Sequence, residues 1–135
     1  GFVGACEGVF NDYGGDAAKL DAAHAVALHL VRNLRQCSAV TNIDGSGAVA
    51  ATNADGDTLV WTISGNNVQF GVDPALDTLA TDITSLSFTG YTLDGTTTTT
   101  TPDEVRSVEF VVTVTLERPV NPTKTIRSRV WLRAW

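Results

Sequence analysis

The sequence predicts an α+β fold in which a long N-terminal α-helix packs on one face of an antiparallel β-sheet. An Ala-rich segment with apolar residues at helical spacing ends at Gln36, and nearly everything after Ser38 alternates apolar and polar residues as strands do. The connections between the strands are short, which favours antiparallel neighbours. At 135 residues the chain suits a single domain, with a helical segment over 1–38 and a β-rich part over 39–135.

The predicted helix is capped by Asp16 and runs to about Cys37. Its apolar residues recur every three or four positions, so they form one stripe that we expect to bury against the sheet. The stripe contains Ala23 and the five residues predicted as the helix–sheet core: Leu20, Ala27, Leu30, Val31 and Leu34.

Two hairpins are expected first in the β-rich part. Asp-Gly turns at 42–47 and 53–57 flank one short strand. Next, Leu59, Trp61 and Ile63 alternate with polar or smaller residues, Asn66-Asn67 turns the chain, and a second alternating run follows with Val68, Phe70 and Val72.

An irregular stretch is expected from Asp73-Pro74, followed by a strand from Ile83 to Leu93. The threonine run at 96–101 contains too few apolar residues to pack, so it is predicted to be a surface loop that could carry glycans.

The last two strands show the clearest alternation. One face is apolar, and on the other we expect outward residues whose charges pair across the strands. The inward set is Val108, Phe110, Val112, Val114 and Leu116, then Ile126, Val130 and Leu132; the outward set includes Ser107, Glu109 and Glu117, then Arg127, Arg129 and Arg133.

The formal net charge of -6 and a pI near 4.6 disfavour binding to nucleic acid or to anionic lipid by bulk electrostatics. The sequence contains no nucleophile elbow, phosphate-binding glycine loop or Cys-His constellation. We therefore expect no catalytic activity, no cofactor and no small-molecule substrate.

Metal binding is not expected either. His24 and His29 are five residues apart, which separates them by about 140 degrees on a helix, whereas zinc helices place two histidines four apart. The Asp-Gly segments faintly resemble calcium loops but lack the glutamate that closes such a loop at its twelfth position. Turn formation explains them without an ion.

The two cysteines leave two alternatives open. If Cys6 and Cys37 lie on one unbroken helix, they are roughly 45 Å apart and cannot form a disulfide within the chain. A bend at Gly14-Gly15 would instead fold the first segment back and allow them to pair.

Several small motifs resemble those of minor pilins and pseudopilins, especially the J-type pseudopilins of type II secretion and related type IV minor pilins. The likeness covers the chain from about Asp16 to the C-terminus. The motifs are a long helix that ends in Leu-Arg-Gln and a small residue, then the strands Ile83–Tyr91 and Val105–Val108, and the closing Arg127–Arg133.

The resemblance implies a pilin-like fold and a non-catalytic subunit of a fibre or its tip, in a type II secretion or type IV pilus system. Such a subunit sits in the inner membrane with a periplasmic domain before assembly, or in an extracellular fibre, and packs against other pilin-like subunits through its N-terminal helix. The subunit-contact candidates on that helix are Val3, Phe10 and Tyr13.

The membrane segment of this family is expected upstream of Gly1. The chain contains no methionine and no apolar run of about 20 residues, which is the length that crosses a bilayer. Gly1-Phe2 followed by Glu7 resembles the family's mature N-terminus, but the glutamate is one place late and Gly14-Gly15 interrupts the apolar run.

Two other classes of function remain as alternatives. One is a stand-alone secreted binding module, an adhesin or carbohydrate-binding domain, with Tyr91, Trp131 and Trp135 as an aromatic platform on the outer face of the sheet. The other is a structural subunit of a different surface assembly. A binding module should be monomeric, and such an assembly subunit should self-associate.

Overall fold

The computed structural model describes residues 3–45, 47–73, 77–117 and 122–133, with side chains described from Ala17 onward. One helix, α1 (Val3–Leu34), precedes the strands. Within the described ranges the strands are β1 (Cys37–Asp44), β2 (Ala48–Asn53), β3 (Thr58–Ser64), β4 (Asn67–Val72), β5 (Asp77–Ala80), β6 (Ser85–Tyr91), β7 (Thr98–Thr99), β8 (Ser107–Thr115) and β9 (Thr123–Trp131). A 3-10 turn at Pro102–Glu104 precedes β8.

The first five strands form an antiparallel sheet in sequence order, β1-β2-β3-β4-β5. Among the described connections, those at 53–57 and 64–67 are tight turns, as the Asp-Gly and Asn-rich segments predict. Between β3 and β4, Ser64 pairs with Asn67 and Gly65 has a φ of +62°, which glycine adopts without steric cost. The sheet is thus a meander of short hairpins.

The second sheet is also antiparallel, in the order β7-β6-β8-β9. Strand β8 lies at its centre, where Phe110 pairs with Phe88 on β6 and with Ser128 on β9. All five residues predicted to face inward from β8 and its end are buried: Val108, Phe110, Val112, Val114 and Leu116.

Buried residues from both sheets and from the helix form one hydrophobic cluster. The helix contacts β8 and β9 of the second sheet, and β2 and β5 of the first. The largest fully buried side chains come from all three parts and include Trp61 on β3, Phe110 on β8 and Leu30 on α1.

The predicted fold class, a long helix on one face of a single antiparallel sheet, is wrong. The described chain is mainly β, and its strands divide into two sheets. The division occurs after β5, because the next strand, β6, pairs with β8. The apolar faces of two sheets then share the core, and the part of the helix whose side chains are described, Ala17–Leu34, supplies only a portion of it.

The predicted helix boundaries are also wrong. The helix begins at Val3 and continues through Gly14-Gly15, and it ends at Leu34, before Cys37. The amide of Gln36 donates a 3.1 Å hydrogen bond to the carbonyl of Asn33, three residues earlier, so the last turn is tighter than an α-helical turn. The chain then enters β1 at Cys37.

Two strands lie where the sequence predicts irregular chain. Strand β5 was missed because its four residues are mostly exposed and only Ala80 is buried. The threonine run is not entirely a loop, since Thr98 and Thr99 form β7 against Tyr91 and Gly90. Threonine suits a strand at a sheet edge, where backbone pairing is sufficient without a buried side chain.

Candidate contact surface around Trp131

One row of side chains crosses the second sheet near one end. Ser107 on β8 pairs with Tyr91 on β6 and with Trp131 on β9, so the three share one face. Trp131 is 48% exposed and Tyr91 is half-buried. The aromatic residues predicted for an outer platform, Tyr91 and Trp131, therefore lie on one face, while Trp135 is outside the described residues.

Ser107 was predicted to face solvent, and this is wrong: it is fully buried. It lies on the outer face as expected, but larger neighbours cover it. Its hydroxyl has no hydrogen-bond partner among the described residues. A buried hydroxyl without a partner carries a desolvation cost.

Arg129 connects this row to the turn at Thr92–Thr97, which directly follows β6. Its guanidinium carbon lies 3.8 Å from the centroid of the Tyr91 ring, a cation–π contact. Its Nη1 donates a 2.6 Å hydrogen bond to the carbonyl oxygen of Gly95. Glu109, one of the two glutamates expected to pair with the arginines of the last strand, lies opposite Arg129, but no contact between these two side chains is found among the described residues.

The turn at Thr92–Thr97 lies against Trp131. Its Asp94 carboxylate accepts hydrogen bonds from the Thr92 hydroxyl and from the amides of Thr96 and Thr97, and from the Thr97 hydroxyl at 2.6 Å. Hydrogen bonds from Thr97 foremost, and then those from Thr96 and Thr92, hold the pKa of Asp94 well below its usual range. The turn is therefore fixed by an ionised carboxylate.

Gly95 lies in this turn beside the Trp131 ring. It has a φ of +76°, a backbone conformation that favours glycine, and a Cβ placed there would make an ordinary van der Waals contact, 3.4 Å from the ring. The same turn presents Leu93, which is 76% exposed.

A groove of about 510 Å³ lies beside these residues. Its apolar wall includes Leu93 and Trp131, and Ser38 and Ala39 of β1 contribute to its lining. Two arginines and one acid also line it: Arg106, Arg133 and Asp103. The volume is in the range of small-ligand pockets, and the aromatic and guanidinium groups are those that recur in binding interfaces.

The helix residues predicted as core all lie at the packed face of α1. Leu30 and Leu34 are fully buried, while Leu20, Ala27 and Val31 are partly buried against the cluster. Ala23 and Val26 are buried as well.

The side chains of the subunit-contact candidates Val3, Phe10 and Tyr13, and of Cys6, lie outside the described part of the molecule. Cys37 is buried as a free thiol whose Sγ donates to the Asn33 carbonyl at 3.3 Å. Burial raises the pKa of Cys37 to about 11. Cys37 therefore does not form the disulfide that the second alternative requires.

The Asp-Gly turn at 53–57 is closed by its own side chain. Asn53 Oδ1 accepts hydrogen bonds from the amides of Asp55 and Asp57, both at 3.0 Å. Among the described side chains, no group of three His, Cys, Asp or Glu residues is placed to hold a metal ion. In the same part of the chain no helix is both long and apolar enough to span a bilayer.

Sequence reasoning missed Leu93, Gly95 and Arg106 as parts of this surface. Each comes from a loop or a strand entrance, and register alone does not place loops over a sheet face. A signal was present at Gly95, because the Asp-Gly pair at 94–95 marks a tight turn directly after a strand.

No protein-family model matches this chain, and neither does any curated protein.

Proposed function

We propose that this chain is a non-catalytic subunit, a minor pilin or minor pseudopilin, of a fibre or its tip in a type II secretion or type IV pilus system. The proposal rests on the resemblance in its helix-end and strand motifs and on one structural observation about α1. It does not rest on the predicted fold class.

That observation is the position of the core along α1. All buried residues of the described part lie from Ala23 onward, and each residue of 17–22 is only partly buried or exposed. At this level Lys19 Nζ donates at 3.1 Å to the carbonyl of Thr115, the last residue of β8. The helix thus meets the end of the second sheet near Lys19.

The helix extends a further 16 residues from Lys19 back to Val3, which is about 24 Å at 1.5 Å per residue. This segment includes Val3, Phe10 and Tyr13, the residues predicted to contact other subunits. We propose that they pack against the helices of neighbouring subunits. On this proposal an apolar segment encoded upstream anchors the subunit in the inner membrane before assembly.

A stand-alone secreted binding module is the second candidate. The observation in its favour is the exposed Trp131, which shares a face with Tyr91 and borders the groove. The two candidates differ in the role of the first turns of α1. In a pilin-like subunit Phe10 contacts other subunits, whereas a monomeric binding module makes no such contact.

The test is photo-crosslinking in the native host with a photoreactive amino acid at position 10. The expected products are adducts with proteins that carry a pilin-type N-terminal apolar helix, identified by mass spectrometry. The matched control is the same amino acid at Thr125, an exposed position on β9, which should give no such adducts.

Two results would overturn the proposal: position 10 yields only the uncrosslinked monomer, or its adducts match those of position 125. A complementary measurement uses Phe10→Ala, which should leave thermal unfolding unchanged while reducing co-purification of the crosslinked partner. Equal recovery of that partner would argue against packing through the helix.

A further inference from the structure

The threonine run at 96–101 contributes nothing to the buried core. Its six consecutive threonines are followed directly by Pro102, and every one of their side chains is exposed or only half-buried. Threonine-rich segments that contain proline are typical carriers of O-linked sugars. The hydrogen bonds of the run separate its six hydroxyls into two groups.

Two of these hydroxyls are held by carboxylates of the same segment. Thr97 Oγ1 donates to Asp94 at 2.6 Å, and Thr99 Oγ1 donates to Glu104 at 2.8 Å. The Thr99 oxygen also accepts a hydrogen bond from the amide of Thr101 at 3.1 Å. Each of the two side chains must break its bonds before it can enter the active site of an enzyme, so both are poor acceptors for a modifying group.

Thr98, Thr100 and Thr101 form the second group. All three side chains are exposed, and no hydrogen bond of their hydroxyls is found among the described residues. Thr98 lies on β7, the outermost strand of the second sheet, and Thr101 has an extended backbone with a φ of -82° and a ψ of 112°, as residues before proline do. An extended segment at the edge of a sheet presents such side chains to another protein. Thr96 is exposed as well, but it lies in the preceding turn, where its amide is bonded.

The charge of the segment favours a neutral group over a phosphoryl group. The two residues that flank Thr98 both donate to carboxylates, so a phosphate on Thr98 would add nearly two negative charges close to Asp94 and Glu104. Arg106 and Arg129 contact the same region, and their described hydrogen bonds go to main-chain oxygens. A sugar without charge meets no such repulsion.

We propose that Thr98, Thr100 and Thr101 form a site of O-glycosylation. In the transfer, a threonine Oγ1 forms a bond to the anomeric carbon of a sugar activated on a diphosphate, and the bond from that carbon to the diphosphate breaks. The hydroxyl proton passes to a base of the glycosyltransferase, and the diphosphate leaves with the bonding electron pair. Sugars at β7 block the pairing of another chain with this edge.

This inference goes beyond the proposed function and does not depend on it, because a fibre subunit and a secreted binding module display the same segment. The test compares peptide masses of the protein purified from its native host with those of the same chain made in a heterologous bacterial cytoplasm. Cleavage before aspartate releases Asp94–Pro102, which contains all six threonines. In the native sample this peptide should be heavier by whole multiples of a hexose or N-acetylhexosamine residue, and in the cytoplasmic sample it should have the mass of its sequence.

The peptide that begins at Asp103 is the internal control. It carries Thr123 and Thr125, which are exposed on β9, another edge strand, but do not belong to a threonine run. It should have the same mass in the two samples.

Two variants locate the acceptors. The triple variant Thr98→Val, Thr100→Val, Thr101→Val removes three hydroxyls and keeps the β-branched shape, and it should lose the added mass. The matched control is the double variant Thr97→Val, Thr99→Val, which should keep it. Circular dichroism compares the folding of the two variants, and the comparison of the wild-type samples stands whatever their stability.

The proposal is overturned if the native Asp94–Pro102 peptide has the mass of its sequence, if the added mass is that of a phosphoryl group, or if the peptide that begins at Asp103 is modified to the same extent. It is also overturned if the triple variant keeps the sugar or the double variant loses it, because other hydroxyls of the run would then be the acceptors.

Discussion

The indole Nε1 of Trp61 donates a hydrogen bond to Nδ1 of His29 across 3.0 Å. The same imidazole lies edge-on to Phe70, with ring centroids 4.4 Å apart. His29 thereby connects α1 to β3 and β4 of the first sheet. Because Nδ1 accepts this bond, it carries no proton, and the imidazole is neutral with its proton on Nε2.

Stability should consequently depend on pH through His29. Burial lowers the pKa of His29 from its usual value of 6.5 in the folded protein. Between the lowered pKa and 6.5 the unfolded chain binds a proton that the folded protein does not, so the free energy of unfolding rises with pH. The contribution is complete above about pH 6.5 and is lost as the pH falls through the lowered value.

Urea unfolding between pH 5.5 and 7.5 measures this effect. His29→Leu should flatten the pH dependence and cost about 1–3 kcal/mol at pH 7.5, because the buried indole N–H loses its acceptor. The control is His24→Leu, at an exposed position on the same helix, which should retain the wild-type pH dependence. A steep pH dependence remaining in His29→Leu would contradict the assignment.

A charge should have different effects on the buried and the exposed face of α1. Leu30 is fully buried, so Leu30→Asp would place a carboxylate in the shared core and should unfold the domain. Leu28, two residues earlier, is 50% exposed, and Leu28→Asp should shift the melting temperature by only a few degrees. Circular dichroism of the two variants decides the register, and a folded Leu30→Asp would refute it.

The sequence predicts local structure better than it predicts the assignment of strands to sheets. Alternation identifies the inward residues of β8 because one face must be buried, and helical spacing identifies Leu30 and Leu34 in the same way. Neither pattern indicates which strands pair with each other in a sheet. The single-sheet prediction failed because β5 and β6 follow each other in sequence yet belong to different sheets.

The contact surface could be predicted only in part for a related reason. Tyr91 and Trp131 lie on the same face of the second sheet. The alternation of apolar and polar residues along their strands predicts that both face outward. The interactions of Arg129 depend instead on where the turn at Thr92–Thr97 folds, whereas the sequence predicted only that the arginines of the last strand pair with glutamates across the strands. The turn supplies the Gly95 carbonyl, and Tyr91 at the end of β6 supplies the aromatic ring.

Gly95 should be sensitive to the addition of a single methyl group. Gly95→Ala places a Cβ 3.4 Å from the Trp131 ring and requires a positive φ that alanine resists, so we expect a loss of about 1–2 kcal/mol. Gly56 has a comparable φ of +85° but nothing within 4 Å of an added Cβ, which makes Gly56→Ala the matched control for the backbone effect alone. Because 3.4 Å is an ordinary van der Waals separation, chemical denaturation should show losses of similar size in the two variants, with a change in tryptophan fluorescence only in Gly95→Ala. A clearly larger loss at Gly95 would show that the indole cannot accommodate the methyl group.

Cys37 should resist alkylation while the protein is folded. Its thiol is fully buried, and burial raises its pKa to about 11, so at pH 8 the reactive thiolate is scarce as well as inaccessible. In a Cys6→Ser background, where Cys37 is the remaining cysteine, iodoacetamide should label the native protein at least about a hundredfold more slowly than the urea-unfolded protein. The labelling rate in the native state should follow the opening of the junction between α1 and β1, and Leu30→Ala, which weakens the core by about 2–5 kcal/mol, should accelerate it. Rapid labelling of the native Cys6→Ser protein would show that the start of β1 is open to solvent, contrary to the packing of Cys37 beneath the helix end.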